Sequence, residues 1–545
     1  MALIEEGLAA RGDGAGSAKS ETALLSGFAV IALLIGLRFV LAATVNLSED
    51  EAYYWLWSAH LAPGYYDHPP MIAYWIRAGT AVFGDTELGV RFVGLLSAIA
   101  GSYLLYLTSL SLFKDRTAAL HCVIWMNATL FCNAAAIIAT PDTPLALFAT
   151  AALFALAKLI ETGRGVWWYA IGASLGLAFM SKYTAALLLP GLFLWMIACA
   201  QGRRWFLRPE PYIGAFIALL IITPVVSWNY AHDWASFAKQ AEHSIKDRPA
   251  NAWASVAEFF GGQAGLASPV IFLFCLFGSG YALFRGLRRS DARWLLLGAL
   301  TAPVLAFFFI HAANQKIQPN WPGFIYPAAM LAAVHAFRER FRFYAIPDGK
   351  PVPTFPGIAL AEKKGSPRWL RAAFGLAPWL GVAFTLTAFV QLGLGPLPIA
   401  AKKDPTARLK GWSKLGSDIE GMERNQGAGM ILTDRYAITG ELAFYGSGPS
   451  DVAQINERIR YANLPQPDDT KLKTAPALLV LRKDGSAAAV TPFFADARKI
   501  ATLTRETGFH PYDSYDVYLM SGYRGGLFGC NAASKQSREC NELRP

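Results

Sequence analysis

A chain of 545 residues that is 54% hydrophobic and only 16% charged does not read as a soluble protein, where the charged share averages about 25%. The 49 Lys and Arg against 39 Asp and Glu give a formal net charge of +10. Such a balance raises the question of a nucleic-acid partner, and the placement of the charges along the chain answers it.

Residues 1–22 hold Glu5, Glu6, Arg11, Asp13, Lys19 and Glu21 without an apolar stripe. They read as a disordered tail rather than a signal peptide. Ala23–Ala43 follows as a retained membrane helix. Apolar runs recur over Gly89–Phe113, Ala118–Ala139, Pro144–Leu159, Val166–Met180, Tyr183–Ala200, Tyr212–Trp228, Gly265–Phe284, Trp294–Phe309, Trp321–Ala336 and Trp369–Leu392. The hydropathy criterion gives about eleven spans. Three strand-like stretches come after them: "AGMILT" leading into a helix, "APALLVLRK", and the alternating "DSYDVYLMSGY". The expected architecture is therefore a polytopic α-helical membrane protein with a tail over 1–22, a membrane domain over 23–394 and a small α/β domain over 395–545.

With the N-terminus in the cytoplasm, the inner loops collect Lys114, Arg116, Lys158, Arg164, Arg203, Arg204, Arg208, Arg285, Arg288, Arg289, Arg293 and the stretch from Arg338 to Arg371. The outer loops hold few basic residues, as the positive-inside rule requires. Topology thus accounts for the net charge, and nucleic acid is not an expected partner. An odd number of spans puts the C-terminal domain outside. Cys122, Cys132, Cys199 and Cys275 fall in apolar runs and read as small fillers. Cys530 and Cys540 lie in the polar tail and are expected to pair in an oxidising compartment.

The unusual residues gather in the outer loops. In "LSEDEAYYWLWSAHLAPGYYDHPPMIAYW" (47–75), Ser48 and Glu51 have the spacing of a capping box. They open an aromatic-rich helix of the kind found at a membrane–water boundary. Gly64 and Pro69-Pro70 end it, and a second amphipathic segment runs from Met71 to Phe83. Asp50, beside Glu49 and Glu51, is more carboxylate than a cap needs. Tyr66, Asp67 and His68 form the joint; turn chemistry explains the Asp but does not require the His. Asp142, in "ATPDTP", reads both as an N-cap for the next span and as a reactive carboxylate. Lys182, in "MSKYT", either snorkels to headgroups or binds an anion. Later outer loops add Glu242, His243, Lys316 and Asn320. Carboxylates suit activation of an attacking group and lysines suit a phosphate, so one membrane face carries the inventory for a reaction between a phosphate-bearing lipid and an acceptor.

The order "DEAYY … YYDHPP … GVRF … TPDTPL … MSKYT … EH … PNWP" resembles the superfamily C membrane glycosyltransferases. It resembles most closely the family of the lipid A aminoarabinose transferase and the rhizobial galacturonosyltransferases, related to protein O-mannosyltransferases. The resemblance covers roughly residues 23–340. It implies a polyprenyl-phosphate sugar donor, transfer on the periplasmic face, and an acidic residue of the first outer loop near the reaction centre. On this reading Asp50, with Glu51 and Asp142, supplies the catalytic carboxylates. Tyr66, Asp67, His68, Lys182, Glu242, His243, Lys316 and Asn320 contact substrate. The chain departs from the aminoarabinose transferase in carrying Asp67-His68 where that family has a Glu-Lys pair.

The expected function is transfer of a sugar from a polyprenyl phosphate to a glycan or lipid acceptor such as lipid A or core oligosaccharide. A protein O-glycosyltransferase, a ligase for lipid-linked oligosaccharides and a flippase are the alternatives. If the acceptor is itself a phosphate, no base is needed and Asp50 would orient groups or bind a cation. A divalent cation is left open, since no tight ligand spacing such as H-x-x-x-H is present.

Overall fold

The computed structural model describes residues 14–243, 249–341, 367–483, 485–507 and 510–528. The side chain of His243, the basic stretch 342–366 and the Cys530–Cys540 pair expected from the sequence lie outside the described residues.

The first helix, α1 (Gly14–Thr44), starts well before the apolar run at Ala23. Two short helices follow, α2 (Glu49–Ala59) and α3 (Met71–Phe83), as the patterning of the first outer loop predicts. Then come α4 (Glu87–Phe113), α5 (Arg116–Ala128), α6 (Leu130–Ile137), α7 (Asp142–Thr162), α8 (Trp167–Ser181) and α9 (Leu188–Ala198). The membrane part closes with α10 (Glu210–Ala231), α11 (Ala235–His243), α12 (Ala252–Ala267), α13 (Pro269–Arg289), α14 (Ala292–Ala312), α15 (Tyr326–Phe341) and α16 (Arg368–Leu394).

Among the described residues, six of these helices are long and apolar enough to cross a membrane: α4, α7, α10, α13, α14 and α16. The number rises to nine if each of three bent pairs is one span. Eleven apolar runs do not map one to one onto eleven straight spans, for two local reasons. The run Ala118–Ala139 is broken by a 64° bend where the Thr129 hydroxyl caps α6 by accepting from the Cys132 amide at 3.2 Å. In α8 and α15, helices of 15 and 16 residues, a rise of about 1.5 Å per residue falls short of a hydrocarbon core of about 30 Å.

The C-terminal part is a five-stranded sheet carrying helices α17 (Trp412–Gln426) and α18 (Tyr436–Tyr445). Its strands are β1 (Met430–Thr433), β2 (Val452–Gln454), β3 (Ala477–Arg482), β4 (Phe494–Thr507) and β5 (His510–Tyr523), in the order β2-β1-β3-β5-β4. The first three are parallel, and β5 and β4 extend them antiparallel. Met430, Ile431 and Leu432 are all buried, as are Ala477 to Leu481. Unbroken apolar runs of this kind belong to strands covered on both faces.

This domain shares a core with the loop helices. Leu47, Tyr53, Trp57 and Ile72 pack in one buried cluster with Trp412, Ile438, Val480 and Tyr515. Helix α18 lies so close on α2 that a Cβ on Gly440 would meet the Tyr53 backbone nitrogen at 2.7 Å. The Tyr445 hydroxyl accepts from the Leu47 amide at 2.7 Å and donates to Glu87 at 3.0 Å. The Asn463 amide donates to the Gly64 carbonyl at 2.8 Å. Next to Gly440, Glu441 is buried with no hydrogen-bond partner on either carboxyl oxygen. Burial, then Glu49 and Glu51, pushes this carboxyl well above the usual range, so it packs as the neutral acid.

Candidate active site

One cavity of about 550 Å³ opens where the ends of α7, α8 and α14 meet the first loop and the C-terminal domain. That volume falls within the range of small-ligand sites. Its wall includes Asp50, Asp67, His68, Asp142, Lys182 and Asn320, all singled out in the sequence. It also includes Tyr53, Tyr54, Lys239, Gln240, His311 and Trp321, and three residues of the C-terminal domain: Arg408, Tyr436 and Arg460. Leu187, Phe307 and Phe308 form its apolar side.

The local sequence explains each position. Ser48 and Glu51 make the reciprocal capping box that starts α2, and this sets Asp50 in the first turn. The Asp50 carboxylate accepts from the Tyr436 hydroxyl at 3.1 Å and faces Arg408 at 3.4 Å. Burial first, and the adjacent Asp50 charge next, raise the Tyr436 phenol, so it stays protonated and remains a donor. Asp142 opens α7 from its first turn, with Pro141 as the N-cap and no side-chain cap bond. Its two oxygens instead accept from Lys182 Nζ at 2.8 and 2.9 Å, and Oδ2 also accepts from Asn320 at 2.8 Å. A lysine ammonium has three donors, so this pair leaves one for a ligand. The Trp321 ring lies 5.9 Å from Lys182 Nζ.

Asp67 is the hub of a second cluster. It accepts from the Tyr53 hydroxyl at 2.9 Å and pairs with Arg460 and, at 3.3 Å, with Lys239. Burial alone would raise this carboxyl; Arg460, Lys239 and His68 outweigh burial and hold it below the usual carboxylate range. Tyr66 is not part of the wall but receives Lys239 and Arg460 on its ring, at 4.5 and 5.7 Å from the centroid.

Other residues picked out in the sequence lie elsewhere. Glu51 is fully buried outside the cavity, paired with Arg91 at 2.7 Å. It also accepts from the Ala139 amide at 2.9 Å, which ties α2 to the loop that carries Asp142. Lys316 is exposed and not on the wall, and neither is Glu242. Among the described residues no group of three or more His, Cys, Asp or Glu is placed to hold a metal ion. Arg408, Tyr436 and Arg460 were not found from sequence. They sit in a domain without a recognisable motif, and only the fold brings them to Asp50 and Asp67.

Fold and cavity together define a multi-span helical membrane protein that presents carboxylates and a paired lysine at one end of its bundle. Residues 67–228 match the family described as dolichyl-phosphate-mannose-protein mannosyltransferase. The chain is 30% identical over 320 residues to the lipid A galacturonosyltransferase of Rhizobium johnstonii, covering 55% of this chain and 64% of the relative. It is 26% identical over 286 residues to an undecaprenyl phosphate-aminoarabinose arabinosyl transferase of Sodalis glossinidius, covering 51% and 50%. The matched stretch thus spans half to two thirds of these curated relatives. The aminoarabinose transferase structure from Cupriavidus metallidurans with undecaprenyl phosphate bound aligns over 93% of this chain and 99% of that one, with a TM-score of 0.59 at 16% identity, a likeness of fold. Over about half its length the chain is thus similar in sequence to lipid A galacturonosyl and aminoarabinose transferases, and it shares the fold of an aminoarabinose transferase.

Proposed function

We propose that the protein is a membrane glycosyltransferase that moves a sugar from a polyprenyl-phosphate donor to an envelope acceptor, lipid A or core oligosaccharide, on the periplasmic face of the inner membrane. The N-terminus is then cytoplasmic and the C-terminal domain periplasmic. One observation carries this reading: a single cavity joins a hydrogen-bonded carboxylate, Asp50, to a lysine with a donor to spare, Lys182, beside an apolar side of Leu187, Phe307 and Phe308. The similarity to a lipid A galacturonosyltransferase on one side and to an undecaprenyl phosphate-aminoarabinose arabinosyl transferase on the other supports the same substrates.

The reaction follows from these groups. The acceptor hydroxyl oxygen attacks the anomeric carbon opposite the donor phosphate while Asp50 takes its proton. The bond from that carbon to the phosphate oxygen breaks, and the phosphate leaves with the electron pair. Its charge is met by Lys182, and the configuration at the carbon inverts. The prenyl chain reaches the cavity along the apolar side, where no water-soluble donor needs such a wall.

Lys182 tests the donor half of this reading. Lys182→Ala lowers affinity for polyprenyl phosphate by about tenfold or more, the worth of a hydrogen bond to a charged group. Lys182→Arg recovers part of it, since charge is kept and geometry is not. The substitution also takes the counter-ion from Asp142 and leaves it only Asn320, so the double variant Lys182→Ala/Asp142→Asn is the control and binds as weakly as the single one. Equal affinity in wild type and Lys182→Ala, measured by titration in detergent, removes Lys182 from the donor site.

A further inference from the structure

Among the described residues, four Lys and Arg side chains line the cavity: Lys182, Lys239, Arg408 and Arg460. Three are closed on carboxylates and little exposed. The side chains of Lys182, Lys239 and Arg460 are 11%, 15% and 9% exposed. Arg408 differs, with 56% of its side chain exposed and both of its contacts, to Glu49 and Asp50, at 3.4 Å. Contacts of that length are weak hydrogen bonds, and an exposed ion pair holds its partner loosely.

The turn that carries Arg408 is nevertheless fixed. Arg505 donates to the carbonyls of Ala407 and Lys410, each at 2.6 Å, and the Trp412 indole donates to the Arg408 carbonyl at 2.9 Å. The backbone is therefore set while the guanidinium remains open to the cavity, a preorganised receptor for an anion. Guanidinium matches phosphate and carboxylate with two parallel hydrogen bonds.

Resting on the reading of the cavity given above, we propose that Arg408 is the acceptor-recognition residue. It binds a phosphate or carboxylate carried by the acceptor near the attacking hydroxyl, and in doing so lets go of Asp50. The C-terminal domain is then part of the site and sets its acceptor preference. Arg408 lies 3.4 Å from the Asp50 carboxylate, on the side from which a hydroxyl would have to approach it. An anionic acceptor takes over the guanidinium, and Asp50 keeps only the Tyr436 hydrogen bond while it receives the hydroxyl proton. A neutral acceptor leaves Arg408 on Asp50 and reacts slowly. Specificity for a charged acceptor thus arises from one group shared between substrate and base.

The test compares phosphorylated lipid A with the same lipid enzymatically dephosphorylated, each offered with a labelled polyprenyl-phosphate sugar to full-length protein. Wild type prefers the phosphorylated lipid, and Arg408→Gln lowers that preference, as a ratio of kcat/KM values, by about tenfold or more, through a higher KM for the charged lipid and faster transfer to the neutral one. Arg408→Lys restores part of the ratio. A structural role would lower both rates together and leave the ratio untouched, and that result overturns the inference, as does a wild type that treats the two lipids alike. Transfer by wild type to neither lipid overturns the glycosyltransferase reading itself, and this inference with it.

Discussion

Asp50→Asn lowers sugar transfer by about a hundredfold or more, the usual worth of a positioned general base, with little change in melting temperature. The asparagine side chain still accepts a hydrogen bond from Tyr436, which now lies 3.1 Å from Asp50. Arg408 loses a partner at only 3.4 Å and keeps Glu49, so the fold has little to lose. What disappears is the carboxylate proposed to take the acceptor's proton. Initial rates with saturating donor and acceptor report this loss, since a defect of binding alone would vanish at saturation. Retention of most of the activity would move the base to Asp142 or leave the reaction without one, as an acceptor phosphate would allow.

Glu51→Gln, one residue along, has the opposite signature. Glu51 and Arg91 are both fully buried. Glu51 accepts from Arg91 Nε at 2.7 Å and Nη2 at 2.9 Å, from the Ser48 amide at 2.9 Å and from the Ala139 amide at 2.9 Å. Glutamine turns one acceptor oxygen into a donor and leaves the Arg91 charge without its counter-ion. Arg91 also donates to the carbonyls of Ala42, Val45 and Asn46, so it is not stripped of partners. Breaking a buried pair from one side costs about 3–5 kcal/mol, and those carbonyls place this case at about 3 kcal/mol, the lower end. The measurement is thermal or denaturant unfolding in detergent. A melting temperature equal to wild type, together with a large loss of turnover, would instead make Glu51 a catalytic group.

These neighbours illustrate what was legible in the chain. Ser48 with Glu51 three residues on is local information, and the capping box formed as the spacing predicts. The two loop helices, and strands β1, β3 and β5, were likewise readable because each has its own period and its own punctuation. Strand β2 has only three residues, Val452–Gln454, too few for a period. Strand β4 carries register shifts between Lys499 and Ala501 and between Thr504 and Glu506, which blur the alternation that marks a strand. Arg38, inside an apolar run, passed as part of a span. It is buried and donates to Asn133 at 2.8 Å and Asn127 at 2.9 Å, polar residues of the bent α5–α6 pair.

The site divides along the same line. Asp50, Asp67, His68, Asp142, Lys182 and Asn320 stood out because charged and amide groups are costly beside apolar runs, so each demanded a reason. Arg408, Tyr436 and Arg460 come from a domain where charge is ordinary, and nothing local marks them. Their partners Asp50 and Asp67 lie more than 350 residues away in sequence, and that pairing is set by the packing of α18 on α2. Composition also gave no warning that the helix behind Gly440 would complete the cavity.

This cavity is proposed to take its sugar from a lipid phosphate rather than from a nucleotide. The most direct measurement offers purified full-length protein in nanodiscs a radiolabelled polyprenyl-phosphate sugar with lipid A, and in parallel a radiolabelled nucleotide sugar with lipid donors excluded. Label moving to lipid A only from the polyprenyl phosphate, and only with Asp50 intact, is the expected result. Label moving from the nucleotide sugar alone would contradict the account.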